Sequence, residues 1–333
     1  MSKVLKSILQ YVIMIALTGG LLWLSLRGIK VGEGENKVDF IWNAWSQADK
    51  GYLLLTAFFL IMSQVVRAER WRMLMVPSGN HVKLGNSFMS LCMGYLVNLA
   101  IPRGGEVSRC YNLYKLEDTP VEVSFGTVVV ERIVDVICLL ILISISFIVE
   151  WTKLEAFISS LSFNSGTEMK IPIWLIIAAV LGVGVLVGFY FLRKNEKLRK
   201  IIQGFREGLM SVFKLKNKWL FIFYSLSIWG MYFFMTYFVM KAFPETHDLG
   251  YSAVLTLFAI GAIAMAAPLP GGAGSYHTLV PMGLVSLYNL QQSDATAFVF
   301  VFHAWQTAIY ILLGLISLVI SYFVIRWKKP QTK

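Results

Sequence analysis

The sequence predicts an all-α polytopic membrane protein, and three observations carry this prediction. Of its 333 residues, 57% are hydrophobic and only 15% are charged, whereas a soluble domain of this length needs more polar surface. Several apolar stretches approach the roughly 20 residues of a helical span. Two further stretches are broken by proline and glycine. The net charge of +11 is expected in cytoplasmic loops, and we predict no nucleic-acid partner.

Six apolar stretches are long enough to cross a bilayer as helices. The first is interpreted as an uncleaved span, because its apolar run exceeds that of a signal peptide. The segments between the spans, including 27–50 and the strongly basic 193–218, are predicted to be loops. The six predicted spans are Ile8–Leu26, Gly51–Val66, Val121–Val149, Ile171–Leu192, Trp219–Met240 and Ala295–Ile325.

Two further apolar stretches, each of 17 residues, end at prolines and glycines. Gly85–Ile101 stops at Pro102, and Tyr251–Ala267 is broken at Pro268 and Pro270. Irregular backbone inside a membrane is tolerated only where protein or a water-filled cavity satisfies its polar groups. We therefore predict two re-entrant helix pairs with these prolines as hinges. The segments that return from each break are Glu106–Lys115 and Tyr276–Tyr288.

The distribution of lysine and arginine predicts the orientation. If all the apolar stretches crossed fully, the basic segments would fall on both sides of the membrane. With six spans and two re-entrant pairs, the predicted cytoplasmic segments carry 19 Lys and Arg residues and the external loops carry 7. Because cytoplasmic loops are enriched in these residues, both termini are expected in the cytoplasm.

The predicted elements repeat within one membrane domain covering residues 1–333. The order span, span, re-entrant pair, span occupies about 5–149 and recurs over about 171–327, starting from the opposite side. The breaks also match locally, since Ala100–Gly105 resembles Pro268–Gly272. Inverted repeats with paired broken helices are typical of secondary transporters, whose binding sites lie near the midplane.

The candidate substrate-binding residues cluster around the two breaks. Charges within a span cost roughly 2.5–3.5 kcal/mol each, so they usually face a cavity or a partner. Arg103 and Arg109 are predicted to hold a phosphate, because a helix N-terminus at a break favours an anion. Alternatively, these arginines pair with Glu106 and Glu131 only to neutralise buried charge. The full set is Arg103, Gly104, Gly105, Glu106, Arg109, Glu131, Arg132, Asp135, Gly271, Gly272 and His277.

Several of these residues leave alternatives open. Glu131 and Asp135 are four residues apart and share a helical face, with Arg132 about 100° around the helix. The two carboxylates could bind a cationic headgroup, carry protons, hold Arg109 or form a structural ion pair. His277 follows the second break, where a titrating histidine and a packing histidine are both compatible with the sequence.

A third group of charges follows the second predicted span. Arg67, Arg70 and Arg72 surround Trp71 and are interpreted as interfacial contacts to lipid phosphate, since arginine matches phosphate bidentately. The alternative is plain positive-inside charge. No nucleotide, zinc or hydrolase motif is present, and the histidines lack metal-ligand spacing. We therefore predict no cofactor, no metal site and no enzymatic activity.

Taken together, these motifs resemble the lysylphosphatidylglycerol synthase transmembrane-region family. The resemblance rests on Arg70–Arg72, Asn98–Glu106 with Arg109, Val130–Asp135 and Pro270–Gly274, and it covers nearly the whole chain. It implies a flippase-like domain in the bacterial cytoplasmic membrane. Two departures stand out. Ser275 follows the last glycine where the family implies an acidic residue, and the chain ends at Lys333, so a soluble aminoacyl-transferase domain is not expected.

The resulting functional prediction is a translocase of a polar or charged lipid, or of a lipid-linked substrate, with a phosphate-bearing headgroup. The alternative is a non-transporting membrane scaffold for an envelope- or lipid-modifying enzyme, with the basic segment 193–218 as its docking surface. A homo-oligomer or an enzyme partner is compatible with either prediction.

Overall fold

The computed structural model describes residues 19–20, 22–23, 25–26, 29, 36–101, 103–152, 155, 196–266, 269 and 272–328. Within these residues the chain is helical and has no β-strand, which confirms the predicted all-α class. The predicted span 171–192 and most of the span 8–26 lie outside the described residues. Four predicted functional positions also lie outside them: Pro102, Pro268, Pro270 and Gly271.

Eleven α-helices make up the described part of the chain. Three of them are long and apolar enough to cross a membrane: α2 with the 3-10 turn that follows it, α7 and α11. The bounds are α1 Lys37–Gln47, α2 Lys50–Met75, α3 Leu84–Ala100, α4 Gly104–Glu117, α5 Val121–Val149, α6 Glu196–Leu209, α7 Lys218–Ala242, α8 Pro244–His247, α9 Tyr251–Ala266, α10 Ser275–Tyr288 and α11 Gln292–Lys328. Short 3-10 helices, Val76–Ser78 and Met210–Lys214, follow α2 and α6.

Helices α2 and α7 pack against each other along most of their lengths. The Asp49 carboxylate accepts hydrogen bonds from the first N–H groups of α2, and its own N–H donates to the Ala242 carbonyl at the end of α7, at 2.8 Å. Near the other end, Arg70 on α2 donates to Ser225 on α7. The start of each helix therefore lies beside the end of the other, and the pair is antiparallel.

Helices α3 and α4 form a tight antiparallel hairpin, which we call the first hairpin. Gly94 and Gly105 meet where the two helices cross, and a Cβ atom on Gly105 would collide with the Gly94 carbonyl oxygen. The Asn98 side chain accepts a 2.7 Å hydrogen bond from the Gly105 N–H. Arg103 adopts the left-handed conformation at the turn (φ 61°), which few residues other than glycine and asparagine adopt.

Helices α9 and α10 form the second hairpin at the other break. Ser275 at the start of α10 donates to the Ala264 carbonyl near the end of α9, at 2.7 Å. A Cβ atom on Gly261 would lie 2.9 Å from the Tyr276 ring, so the glycine lets the helices approach closely. Gly272 in the turn has a φ of 71°, which is a conformation that glycine adopts without strain.

Each hairpin packs against a long helix of the other half of the chain. The first hairpin packs against α11, where Gly314 lies against Leu96, and the second packs against α5, where Ser146 donates to the Leu255 carbonyl at 3.3 Å. Each hairpin therefore rests on the last long helix of the opposite half. Helices α2 and α7, which hold corresponding positions in the predicted repeat, run antiparallel, which is the direction that an inverted repeat requires.

The tips of both hairpins reach the middle of α11. Tyr95 of the first hairpin stacks on Tyr310 at 4.8 Å between ring centroids, and Tyr276 of the second lies 5.7 Å from His303. Seven residues of helix separate these two α11 positions, which is about 10 Å along its axis. The two breaks therefore lie at similar depths in the bundle.

The structure corrects three predictions about where helices lie. The predicted loop 27–50 contains α1, and the predicted loop 193–218 contains α6 and a 3-10 helix. Helix α2 continues to Met75, nine residues past the predicted end of the span at Val66. The short helices are stabilised by packing on one face, such as Trp45 of α1 against Trp305 of α11 at 5.6 Å between ring centroids. In α6 this face is visible in the sequence, because apolar residues recur at helical spacing from Leu198 to Leu209.

Candidate functional site

A buried ionic network occupies the place where α2, α4 and α5 meet. Its three arginines come from two helices, with Arg67 and Arg70 on α2 and Arg109 on α4. Its two carboxylates, Glu131 and Asp135, lie one turn apart on α5. Each of the five side chains is at most 13% exposed. Burial on this scale is costly unless the charges are paired.

Arg67 connects four helices through one guanidinium group. It forms an ion pair with Asp135 on α5. It also donates to the Tyr95 hydroxyl on α3 at 2.6 Å and to the Tyr232 hydroxyl on α7 at 3.1 Å. Because Tyr95 in turn stacks on Tyr310 of α11, the first hairpin is joined through this group to both halves of the protein.

Arg70 is completely buried and bridges the two carboxylates. It donates to Asp135 at 2.9 Å, and its Nη2 atom lies 3.5 Å from Glu131. Its other terminal nitrogen donates to Ser225 on α7 at 3.2 Å. The shared cation confirms that Glu131 and Asp135 face the same side of α5, as their spacing predicts.

Arg109 is paired on one side only. Its Nη2 atom donates to Glu131 at 2.6 Å, and its guanidinium carbon lies 4.6 Å from the centre of the Trp71 ring. Its Nη1 and Nε atoms are buried and have no hydrogen-bond partner in the described part of the chain. Since a guanidinium group carries five N–H donors, Arg109 retains unused capacity for an acceptor.

The charge of the buried network is not balanced internally. Three buried arginines face two buried carboxylates, so one positive charge remains uncompensated among these five side chains. Each arginine has a carboxylate partner, so the excess positive charge is shared over the network. An added anion near Arg109 would remove this imbalance.

A narrow cleft lies beside Arg109, between the first hairpin and α5. It is open to the outside, and its cavity volume of about 10 Å³ is enough for one water-sized group. On its far side the Glu106 Oε2 atom is buried without a hydrogen-bond partner in the described residues. The cleft thus offers a donor and an acceptor. Its lining residues are Leu91, Gly94, Tyr95, Asn98, Gly105, Glu106, Arg109 and Arg132.

The mouth of the cleft lies on the apolar outer side of the bundle. Arg132 stands there with 45% of its side chain exposed, 3.6 Å from Glu106 and 3.8 Å from Asp135. The neighbouring exposed positions on α5, Ile133 and Val136, and Val107 on α4 are apolar. A cationic side chain flanked by exposed apolar residues is typical of a surface that meets lipid headgroups.

Comparison with known proteins identifies the family. The family model described as the lysylphosphatidylglycerol synthase TM region matches residues 5–314. The chain belongs to this family. This membership confirms the resemblance that the motifs indicate.

Two proteins of Methanocaldococcus jannaschii are also similar to this member of the lysylphosphatidylglycerol synthase TM-region family. UPF0104 membrane protein MJ1078 is 25% identical over 249 residues, which cover 71% of this chain and 98% of that protein. UPF0104 membrane protein MJ1595 is 36% identical over 87 residues, and this match spans only about a quarter of either chain (25% and 26%). No solved structure matches the chain.

Within this family member, the predicted residues of the first break and of α5 come together. Glu106, Arg109, Glu131, Arg132 and Asp135 all belong to the network or to the cleft. Gly105 lines the cleft, whereas Gly104 packs against the Ile101 side chain at the turn. Arg103 is exposed at the tip of the hairpin.

The three arginines of α2 that were predicted to contact lipid phosphate lie in two different environments. The structure places Arg67 and Arg70 inside the bundle, at 5% and 0% exposure, because α2 continues inwards past them and α5 supplies carboxylates to both. Arg72 alone points away from the network and pairs with Glu69 on its own helix.

The second break forms a separate, aromatic site. His277 is 4% exposed and packs with the rings of Phe300 and His303, at 4.4 and 4.7 Å. Its carbonyl accepts a hydrogen bond from Ser25, near the end of the first predicted span. These contacts favour the packing interpretation of His277. Ser275 ties the second hairpin together, in the position where the family implies an acidic residue.

Sequence reasoning missed the neutral residues that complete the network. Tyr95, Tyr232 and Ser225 bind arginine side chains from within apolar helices, and nothing in the local pattern distinguishes them from packing residues. Trp71 lies among the arginines that were interpreted as interfacial, yet it is fully buried beneath Arg109 and donates to Thr127. The charges around it concealed its inward orientation.

Proposed function

We propose that this protein translocates a polar lipid with a phosphate-bearing headgroup across the membrane. One observation carries the proposal: Arg109 is buried with two unpartnered nitrogens beside a cleft whose mouth is marked by the half-exposed Arg132. Family membership supports a membrane protein of this type. The transport of a lipid is our proposal and goes beyond what family membership shows.

A phosphate matches the unused capacity of the cleft. Arg109 can donate from Nη1 and Nε without giving up its bond to Glu131 through Nη2, and charge-assisted bonds of this kind are about twice as strong as neutral ones. Arg132 supplies a second cation at the mouth. The Glu106 Oε2 atom is the available acceptor for a hydroxyl or amino group elsewhere in the headgroup.

The apolar surroundings of the mouth favour a lipid over a soluble anion. Arg132 continues the exposed stripe of α5 that includes Ile133, Val136 and Ile137. A lipid can leave its acyl chains along such a stripe while its headgroup occupies the polar cleft. A soluble anion would have to cross this apolar surface without any compensating burial of hydrocarbon.

The hairpins provide the proposed route across the membrane. Helices α3 and α4 contain 17 and 14 residues, about 25 and 21 Å, which is short of the roughly 30 Å hydrocarbon core. In the proposed arrangement both hairpins are re-entrant and six helices span the membrane. Alternating movement of the hairpins against α5 and α11 would expose the cleft to one leaflet at a time.

The experiment combines native mass spectrometry of retained lipids with a flipping assay in proteoliposomes. Arg132→Gln removes the cation at the mouth with little effect on stability, because exposed pairs contribute at most about 1 kcal/mol. Arg109→Lys keeps the charge but loses the guanidinium fork. Arg72→Gln is the matched control, since Arg72 pairs with Glu69 outside the network.

We expect wild type and Arg72→Gln to retain the same phospholipid class and to flip a fluorescent analogue of it. Both site variants should retain about tenfold less of that lipid and flip it correspondingly slowly. Retention of the same bulk lipid by all four proteins, at equal flipping rates, would contradict the proposal and return the scaffold alternative to first place.

A further inference from the structure

The 3-10 helix Met210–Lys214 and the residues around it form an exposed surface at the opposite end of the molecule from α1. We call it the basic–aromatic patch, and none of its residues lines the cleft. Its members are all exposed: Arg206, Met210, Phe213, Lys214, Lys216, Lys218 and Trp219.

One side of this segment is anchored firmly in the protein. Leu209, Val212 and Leu215 recur every three residues and pack in one apolar cluster against the end of α2 and against Val130 and Val134 of α5. Because side chains three residues apart eclipse each other in a 3-10 helix, Met210 and Phe213 share an outward position. They are 40% and 69% exposed.

The preceding helix α6 is fixed to α5 by close contact of glycines. A Cβ atom on Gly208 would lie 2.9 Å from the Gly126 Cα atom on α5. The Phe125 and Phe205 rings meet beside this crossing, at 6.4 Å between centroids. The segment is therefore held at a fixed depth near the start of α5 rather than hanging free in solvent.

That depth is the level of a membrane interface. Trp219 is 81% exposed in the first turn of α7, and Trp327 is 79% exposed in the last turn of α11. Lys328 in that same turn pairs with Asp118, just before α5 begins. Exposed tryptophans at the ends of long apolar helices mark the headgroup region.

We propose that the basic–aromatic patch binds the anionic headgroups of the adjacent leaflet, with Phe213 and Trp219 inserted among the lipids. Within the described residues 196–218 there are seven lysines and arginines against two glutamates. A soluble acidic protein would satisfy the charges but leave the two rings without an apolar environment. A lipid surface with acidic headgroups satisfies both.

Hydrogen exchange on the intact protein tests this proposal. Peptides covering 196–218 are followed by mass spectrometry in phosphatidylcholine nanodiscs with and without phosphatidylglycerol, at low and high salt, and in native membranes. Two variants are compared with wild type: one combines Lys214→Gln, Lys216→Gln and Lys218→Gln, and the other is Phe213→Ser. Lys83→Gln is the control, because Lys83 is exposed outside the patch.

In wild type and in the control, phosphatidylglycerol is expected to slow exchange of these peptides, and high salt should remove the effect. Each lysine near an anionic surface strengthens binding about fivefold, so the triple variant should lose most of the protection. Equal exchange in both nanodiscs would overturn the proposal. So would protection that appears only in native membranes, because that result would assign the patch to a protein partner.

Discussion

Arg109 donates to Glu131 over 2.6 Å with one terminal nitrogen, while its other terminal nitrogen is buried without a hydrogen-bond partner in the described residues. The guanidinium group thus neutralises a buried carboxylate, and in the proposed function its remaining N–H groups donate to the lipid phosphate. Trp71 fixes the plane of the group from below, so the unused donors have a defined direction even without a ligand.

The first prediction concerns the stability of this pair. Breaking a buried ion pair by removing one partner typically costs 3–5 kcal/mol, because the other charge is left unpaired. Arg109→Met and Glu131→Gln should therefore each lower the free energy of unfolding in mixed micelles by about this amount. The double variant should be less destabilised than the sum of the two. Strict additivity would show that the residues do not interact.

A larger side chain at the point where α3 and α4 cross should destabilise the protein. In Gly105→Ala the new methyl group meets the Gly94 carbonyl and the Asn98 side chain, so α3 and α4 must separate. We expect a loss of about 1–3 kcal/mol, visible as a lower melting temperature.

Gly85→Ala is the matched control for that substitution. A Cβ atom on Gly85, in the first turn of α3, would meet nothing within 4 Å. Since alanine has the higher helix propensity, this variant should melt at the wild-type temperature or slightly above it. Equal destabilisation by both substitutions would mean that the crossing is not closely packed.

Tyr95 is expected to stabilise the protein through its hydroxyl group. Tyr95→Phe retains the ring stacked on Tyr310 but removes an acceptor from the buried Arg67. The loss of a partner for a buried charged donor should cost about 1–3 kcal/mol in the free energy of unfolding. Tyr310→Phe preserves the same stack and leaves the Arg67 bond intact, so its effect should be clearly smaller.

The inverted repeat predicted from the sequence would place α1 and the basic–aromatic patch on opposite sides of the membrane. In a background without Cys92, Cys110 and Cys138, Asp39→Cys and Lys216→Cys each place a thiol at an exposed position. A membrane-impermeant maleimide should label Asp39→Cys in intact cells and Lys216→Cys only after lysis. Labelling of both in intact cells would exclude this topology.

Much of the architecture was predictable from local pattern. Hydrophobic stretches and proline–glycine breaks indicate a helical membrane protein with two interrupted regions, and the described helices bear out that class. The spacing of Glu131 and Asp135 alone placed both on one face. The short helices α1 and α6 were missed because their segments were interpreted as loops from their charge and glycine content. In α6 the apolar residues do recur at helical spacing, and the helix packs against α5.

The sequence by itself determined where charge enters the apolar helices and where the helices break, since both depend on residue type and spacing. Only the tertiary structure decided how the charges combine. Arg67 and Arg70 lie more than 60 residues before Asp135, and no local rule distinguishes an arginine that anchors at an interface from one that turns inward. Their pairing depends on how α2, α4, α5 and α7 pack, and the same packing leaves Arg109 with donors to spare.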